Sequence, residues 1–537
     1  MTIKLMKKYF FLLPLIAALF FSCAKRGTIT GGPKDTLAPV IVKSIPKNFE
    51  TNFTGKTIKI DFSEYIKVKD INKQLIISPP MEKSPSVVPQ GSASKFISIT
   101  LNEDLKPNTT YSFNFGQSIT DYNEGIPYSQ FKYVFSTGAF VDSLTVSGNI
   151  KDAFENKTDD FVTVMLYDAK TYNDSLVYKQ KPIYITNTLE KNTTFKIENI
   201  KEGDYYLVAL KDLNNNFNYQ AKTEKIAFKK QIIKIPTDSV YTLNLFSEKK
   251  EIKTYKPTVE SNNKLFLGYE GNAKNVKLFT KKNNTEIPLR FTKSENKKSD
   301  TLQVFIPNDA KDSLNVIVKS DTYYKEYSVK LKKLKEADSL EVKLFVNKRL
   351  TFNEKLTLEA TTPINKINSE KIFLRKKDST LIPFTTKIDD FEQLISFDFK
   401  QEENEKYTIE LLPGAIEDDY LTKTDSLKFE YSIGAISDFG NLKLRLKNVT
   451  KFPFVLQILN NSGDIIGEKY STKETEMYFE AIQPSTYQVR LFYDDNMNQI
   501  WDSGNFKNKM QPEEMIYFPT LIDVRANWDV DQELELD

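Results

Sequence analysis

Asp494, Asn496, Asn498 and Asp502 stand at positions 1, 3, 5 and 9 of one short run, with Ile500 at position 7. Oxygen-bearing side chains at alternate positions of a tight loop can converge on a hard cation. Calcium takes about six to eight oxygens, one of them commonly a main-chain carbonyl at position 7. The run lacks a glycine at position 6, where Gln499 stands, and a bidentate glutamate at position 12, where Asn505 stands. A second run, Asp212, Asn214 and Asn216, has the same spacing but carries Gln220 at position 9. Two chemistries fit both runs: a structural calcium ion, or Asx side chains that accept hydrogen bonds from their own backbone. Trp501 is expected to pack rather than to serve as a sugar platform.

Other chemistry is narrowly bounded. The 537 residues include no histidine and one cysteine. Imidazole catalysis, thiol catalysis beyond Cys23 and cysteine or histidine metal sites are therefore excluded. An enzyme would have to rely on carboxylates, lysine, tyrosine or serine. Asp61, Glu64 and Asp121 are the carboxylates one could imagine as a glycan-hydrolysing pair, and nothing in their spacing sets them apart from turn residues. With 75 basic and 72 acidic residues the net charge is +3, which gives no global attraction to nucleic acid. No cofactor other than calcium is indicated, and a non-enzymatic chain is expected.

A third pattern recurs nine times: aspartate, then serine or threonine, then an apolar residue or threonine. The hydroxyls are Thr36, Ser143, Ser175, Ser239, Thr301, Ser313, Ser339, Ser379 and Ser426. The motif resembles the O-glycosylation sequon of exported Bacteroidota proteins, and it equally describes a turn pair entering a strand. Both readings stand.

The elements that must position these residues are strands. Ile58, Ile60 and Phe62 alternate with Lys59 and Asp61, and Ile97, Ile99 and Leu101 alternate with Ser98 and Thr100. A period of two marks strands with one buried face. The two Asp/Asn runs fall at equivalent places in a repeat. FEAIQPSTYQVRLFYDDNMNQIWD lies over IENIKEGDYYLVALKDLNNNFNYQ at an offset of 282 residues, and after an insertion EMIYF (514–518) corresponds to EKIAF (224–228). KLTLEATTPINKI, KYTIELLPGAIEDDYL and SLKFEYSIG likewise parallel TIKIDFSEYIKV, TYSFNFGQSITDYNEG and QFKYVFSTG, with Tyr407 and Phe429 placed on Tyr111 and Phe131. Tyr111, Phe113, Phe131, Tyr133 and Phe135 are expected in the core.

The pieces APVIVKSIPKN, IKIDFSEYI, LKPNTTYSFNF and SITDYNEGIPYSQFKYVFSTG occur in the order seen in the bacterial Ig-like domain of the SbsA type, which the first hundred residues after the tether resemble. VSGNIKD, VTVMLYD and FKIENIKEGDYYLVALKD resemble prealbumin-like sandwiches of the Cna-B and carboxypeptidase-regulatory kind, modules that commonly serve as spacers. The resulting expectation is an all-β tandem array. It comprises a signal peptide (1–22), a lipidated tether (23–37), an Ig-like domain (38–138), a prealbumin-like sandwich (139–250), a sandwich of no recognised family (251–338), a second Ig-like domain (339–434) and a second prealbumin-like sandwich (435–537). Repetition at this scale implies an elongated string of modules.

The N-terminus supplies the expected location. Lys4, Lys7 and Lys8 precede an apolar run from Tyr9 to Phe21, then Ser22 and Cys23. The run is too short to span a bilayer, which needs about 20 residues, and it has the parts of a secretory signal. Leu19-Phe20-Phe21-Ser22-Cys23 resembles a bacterial lipoprotein signal, which implies that Cys23 becomes an acylated N-terminus. Ala24, Lys25 and Arg26 follow in place of acidic residues, which by the same resemblance implies an outer-membrane position facing the periplasm. The expected role is an extended scaffold or protein-binding module, with the membrane held through the lipid and an envelope protein as partner, an outer-membrane β-barrel among the candidates. An accessory subunit of an assembly machine, an adhesin or glycan binder, and a carboxylate-based hydrolase are the alternatives.

Overall fold

Alternation sets the first core. Strand β1 covers Ile41–Ile45 and β2 Thr57–Val68; β3 is Ile76–Ser78, β4 Ser86–Val88 and β5 Ser94–Thr100. Then come β6 (Thr110–Asn114), β7 (Ile119–Asp121) and β8 (Lys132–Ser136). Ile58 and Ile60 on β2 lie opposite Ile99 and Ile97 on β5, and all four are fully buried. β2 is long enough to change partners. Beyond an irregularity after Asp61 it leaves most of β5 and pairs Ile66–Val68 with β7. The sheets β1-β2-β5-β4 and β3-β6-β8 close over one core. Tyr111, Phe113, Phe131, Tyr133 and Phe135 all belong to that core, as the alternation requires.

The computed structural model describes residues 35–537 except 130, 272, 274–275, 284, 294–299, 333–337, 346–348, 352–353 and 537. The signal peptide, Cys23 and most of the tether lie outside the described residues. Among those described, no helix is long and apolar enough to cross a membrane. The chain divides into two compact units. Unit 1 is the first sandwich together with Pro182–Thr186 and Ile197–Gly203. The second of these segments is held by the Asn199 amide, which donates to the Asp142 carbonyl (2.8 Å), and by the Lys201 ammonium on the Asn108 carbonyl (2.5 Å).

Unit 2 holds the rest of the second sandwich and the three that follow it. Residues 253–330 form two sheets over a core of their own, a sandwich as alternation alone had indicated. The fourth sandwich repeats the pairing of the first: Leu356–Ala360 pairs Leu394–Asp398, and Lys406–Leu411 pairs both Ile372–Lys376 and Leu427–Ile433. The repeat also corrects one correspondence. Tyr407 lies opposite Tyr431, as Tyr111 lies opposite Phe135, and both ring pairs stack at 5.4 Å. The Tyr111 hydroxyl accepts the Lys106 N–H at 2.9 Å and the Tyr407 hydroxyl the Glu402 N–H at 2.8 Å, each five residues upstream. Phe429 therefore matches Tyr133, not Phe131. Strand register decides such a match, since two residues along a strand is one full side-chain period.

In both the second and the fifth module the last strand runs parallel to the first: Val240–Leu245 beside Ser147–Asp152, and Asp529–Glu535 beside Asn441–Lys447. Register again moves one sequence match. Val208 pairs Phe228 and Arg490 pairs Tyr517, so Met515–Tyr517 matches Ile226–Phe228 and Glu513, rather than Glu514, matches Glu224. A slip of one residue would turn each side chain to the other face.

The modules of unit 2 are braced. The Arg290 guanidinium donates to both oxygens of Asp419 (3.0 Å each), to the Ile364 carbonyl (2.9 Å) and to Asp390. The Tyr420 hydroxyl reaches the carbonyls of Asn263 (2.9 Å) and Ile306 (3.0 Å). Nη1 makes the contacts to Asp419 and Ile364 and Nη2 the one to Asp390, so one guanidinium bridges two loops of the fourth sandwich. The third and fourth sandwiches are tied by these contacts.

Candidate functional site

The two Asp/Asn loops have one conformation. Asp212 accepts the N–H groups of Asn216 and Phe217, and Asp494 those of Asn498 and Gln499, the same positions displaced by 282. Asn215 and Phe217 in one loop and Met497 and Gln499 in the other have φ between 57° and 61°. Left-handed backbone at a non-glycine residue is uncommon, and a side chain that accepts from the backbone ahead of it holds it there. A glutamate closes each loop. Glu224 accepts the N–H of Leu213 (3.1 Å) and Gln220 (2.9 Å), and Glu513 that of Asp495 (2.8 Å) and Asp502 (2.9 Å). Asp494 is fully buried and Glu224 is 2% exposed. Buried carboxylates need such donors, because an unpaired buried charge is costly. The sequence pattern had not singled out Glu224 or Glu513; each sits just before the apolar strand that follows its loop.

The oxygens that would meet a cation are engaged. Both carboxylate oxygens of Asp494 accept main-chain N–H groups. The side-chain oxygens of Asn496 and Asn498 accept the N–H of Asn498 (3.1 Å) and Ile500 (2.7 Å), while their amides donate to Asp502 (2.6 and 2.7 Å). In the shorter loop the Asn214 and Asn216 oxygens accept the N–H of Asn216 and Asn218. Among the described residues no group of three or more acidic side chains is spaced to hold a metal ion. These bonds shape both loops, and each oxygen keeps a further lone pair, so the self-bonded loop and the calcium site remain the two chemistries that the spacing allows.

What differs between the loops is an insertion. Asp212 and Glu224 are twelve residues apart, Asp494 and Glu513 nineteen. The extra residues reach the second module. Phe506 is fully buried, edge-on to Tyr178 (5.9 Å), Tyr219 (6.1 Å) and Phe228 (5.3 Å). Gly504 lies against the Phe246 ring, where a Cβ would come within 2.6 Å. Glu248 accepts the Phe506 N–H (2.7 Å) through one oxygen and the Tyr219 hydroxyl (3.0 Å) through the other. Lys509 pairs with Asp174 (2.5 Å) and stands 4.2 Å over the Phe506 ring.

The loop itself joins the contact. Trp501 packs on Phe154 at 4.8 Å and donates its indole N–H to the Glu513 carbonyl. The Tyr517 hydroxyl donates to the Phe154 carbonyl (2.9 Å), and the Arg490 guanidinium lies 4.8 Å over the Phe154 ring. Lys249 pairs with Asp502. Through these contacts the fifth module is interlocked with the second. The physical reason is the apolar plug, since a buried phenylalanine among aromatic rings outweighs the entropy that would favour an open chain.

Electrostatics give this interlock a pH dependence. Burial pushes Asp502 up, but the Lys249 ammonium and the amides of Asn496 and Asn498 bring it below its ordinary 3.8. A depressed carboxylate contributes stability above its unfolded pKa and loses it as pH falls through the folded one. Acidification below about pH 4 therefore weakens the docking in the wild type. In Asp502→Asn the docking is weaker at neutral pH and loses this part of its acid sensitivity, as read by acid titration of cross-linking between the two modules; identical acid profiles would count against the pairing. Glu513 shifts the other way: burial raises it despite its two N–H donors.

Of the remaining carboxylate candidates, Glu64 and Asp121 come together and share a hydrogen bond, while Asp61 has a different partner. Asp61 pairs with Lys59 at 3.0 Å. Asp121 accepts the N–H of Glu124 (2.5 Å) and Gly125 (3.3 Å), holding a turn. Glu64 is raised by burial and by Asp121 nearby. Of the nine sequon hydroxyls, Thr36, Ser143, Ser175, Ser239, Ser313, Ser339, Ser379 and Ser426 are exposed and Thr301 is half-buried. Asp35 and Asp378 accept the N–H two residues on (2.9 Å each), as turn residues do.

No curated protein matches the chain. Among solved structures it is similar to the major pilin subunit BcpA of Bacillus cereus, at 10% identity over 73% of this chain and 99% of that one, with a TM-score of 0.14. It is similar to surface layer protein SbsC, domains 1–6, at 12% identity over 91% of this chain and 67% of that one (TM-score 0.16). A third is SGBP-B of a Bacteroides ovatus mixed-linkage glucan utilization locus, in complex with a mixed-linkage heptasaccharide, at 13% identity over 71% and 95% (TM-score 0.18). The family model described as bacterial Ig-like domain matches residues 35–137, the stretch that holds the sandwich of β1–β8.

Proposed function

We propose that the chain is a non-enzymatic, lipid-anchored protein of the outer membrane, periplasm-facing, whose braced β-sandwiches hold a protein-binding surface at fixed geometry. The observation that carries this reading is the bracing itself. The Phe506 plug and the Arg290 clamp hold sandwiches that a loose tether would leave free, and fixed spacing between surfaces is what a scaffold supplies. The buried carboxylates of the repeated loops support a structural role, because their oxygens are taken by main-chain donors. Cys23, as the single thiol behind a signal-like segment, supports the anchor. The exposed sequon hydroxyls are available for O-glycosylation in an exported protein.

Intact-mass and peptide analysis of the protein purified from its own envelope tests the reading. The expected N-terminus is Cys23 carrying acyl chains, with sugar masses on sequon peptides. Cross-linking before capture through a tag at Asp537 is expected to recover an envelope protein, a β-barrel favouring the role of machine subunit. A mature chain that begins elsewhere with an unmodified Cys23 removes the anchor, and hydrolysis of a polysaccharide that is lost in Glu64→Gln would replace the scaffold with an enzyme.

A further inference from the structure

β1 is the outer strand of its sheet: β2 pairs one side of it, and among the described residues no strand pairs the other. Large apolar side chains stand in water along this edge. Val40 is 55% exposed, Val42 68% and Ile45 51%, with Leu37 (73%) before the strand and Phe49 (58%) after it. Single exposed apolar residues are ordinary on any surface. Five within thirteen residues of one edge are a strip, and such strips mark contact with a partner or a membrane. Lys43 and Lys47 lie exposed in the same stretch and pair with no carboxylate among the described residues; Asp35 and Glu50 flank the strip in sequence, and Asp61 stands opposite Lys43 on β2. An unpaired, apolar outer strand is also a liability unless something covers it.

The position of the strip says what covers it. The described chain begins at Asp35, twelve residues after Cys23, and a fully extended span of that length reaches at most about 40 Å. With Cys23 held in a bilayer, this edge is the part of the first sandwich that the chain itself brings toward the lipid. Aliphatic side chains and a phenylalanine interleaved with lysines suit the boundary between acyl chains and anionic headgroups. We propose that the β1 edge is a second membrane contact, which seats the first sandwich on an anionic bilayer. The proposal rests on the anchoring reading above, and its test is built to be independent of acylation in the cell.

Because Cys23 is the single thiol, the chain from Cys23 to Asp537 can be coupled through it to a maleimide lipid in phosphatidylcholine–phosphatidylglycerol vesicles. A photo-cross-linking amino acid is placed at Val42 in one protein and at Val88 in another. Val88 is 52% exposed on β4, at the opposite border of the same sheet, so neither replacement disturbs the core. The expected result is lipid adducts at position 42 and none above background at position 88. Lys43→Gln and Lys47→Gln should each lower the adduct yield about fivefold, in line with roughly 1 kcal/mol per basic residue near an anionic surface. Equal labelling at both positions, no lipid adduct at 42, or cross-links joining two copies of the chain would overturn the proposal. Failure of the anchor is read separately, from the mass of the native N-terminus.

Discussion

Phe506→Ala releases the fifth module from the second while leaving both folded. Phe506 is fully buried among Tyr178, Tyr219 and Phe228, all in the second module, and it is absent from the core that holds 442–536 together. Truncating a fully buried phenylalanine costs about 3–5 kcal/mol. That loss falls on the interlock. The flanking ion pairs of Lys249 with Asp502 and Lys509 with Asp174 are partly exposed and contribute little alone. Limited proteolysis should then cut the 503–511 segment rapidly in the variant and slowly in the wild type. Unchanged protection would mean that the aromatic plug does not hold the modules.

The second large effect is at Asp494. Its side chain accepts the N–H of Gln499 and shares that of Asn498 with Asn496, inside a loop whose backbone turns left-handed at Met497 and Gln499. Asp494→Ala leaves the Gln499 amide without an acceptor, at about 1–3 kcal/mol, and weakens the hold on Asn498. The last sandwich should melt about 10 °C or more lower, since 1 kcal/mol moves a domain of this size by roughly 4–8 °C. Asp212→Ala should destabilise the second module in the same way, as its bonds are the same set. Calorimetry with and without calcium and with a chelator separates the two chemistries open at this loop. A self-bonded loop gives one melting temperature in all three solutions; a calcium site gives a wild-type transition that falls on chelation and does not fall further in Asp494→Ala.

The strands were legible because a period of two is a local signal. Ile58, Ile60, Ile97 and Ile99 could be assigned inward from sequence, and they are fully buried. Repeats were legible for the same reason, yet side-by-side strings do not carry register. Glu513 and Phe429 were each misplaced by a residue or two until pairing across strands assigned them. The loop conformation was half legible. Asp and Asn at alternate positions announce Asx turns, but the closing glutamates lie beyond the pattern and act through folding of the loop onto the next strand. The interlock left no such trace. Phe506 sits in a polar insertion without periodicity, and its neighbours are more than 250 residues earlier in the chain. Arg290 is likewise a lone cation in sequence, given its role only by Asp419 and Asp390 from another module. Contacts between modules are set by shape complementarity of finished surfaces, which no local window contains.

Distance measurement by double electron–electron resonance, with spin labels at Lys230 on the second module and Lys473 on the fifth, tests the bracing most directly. Both side chains are exposed, and Cys23 is replaced so that the labels are unique. The account predicts one narrow distribution in the wild type that broadens in Phe506→Ala; a wild-type distribution already as broad as the variant's would contradict it.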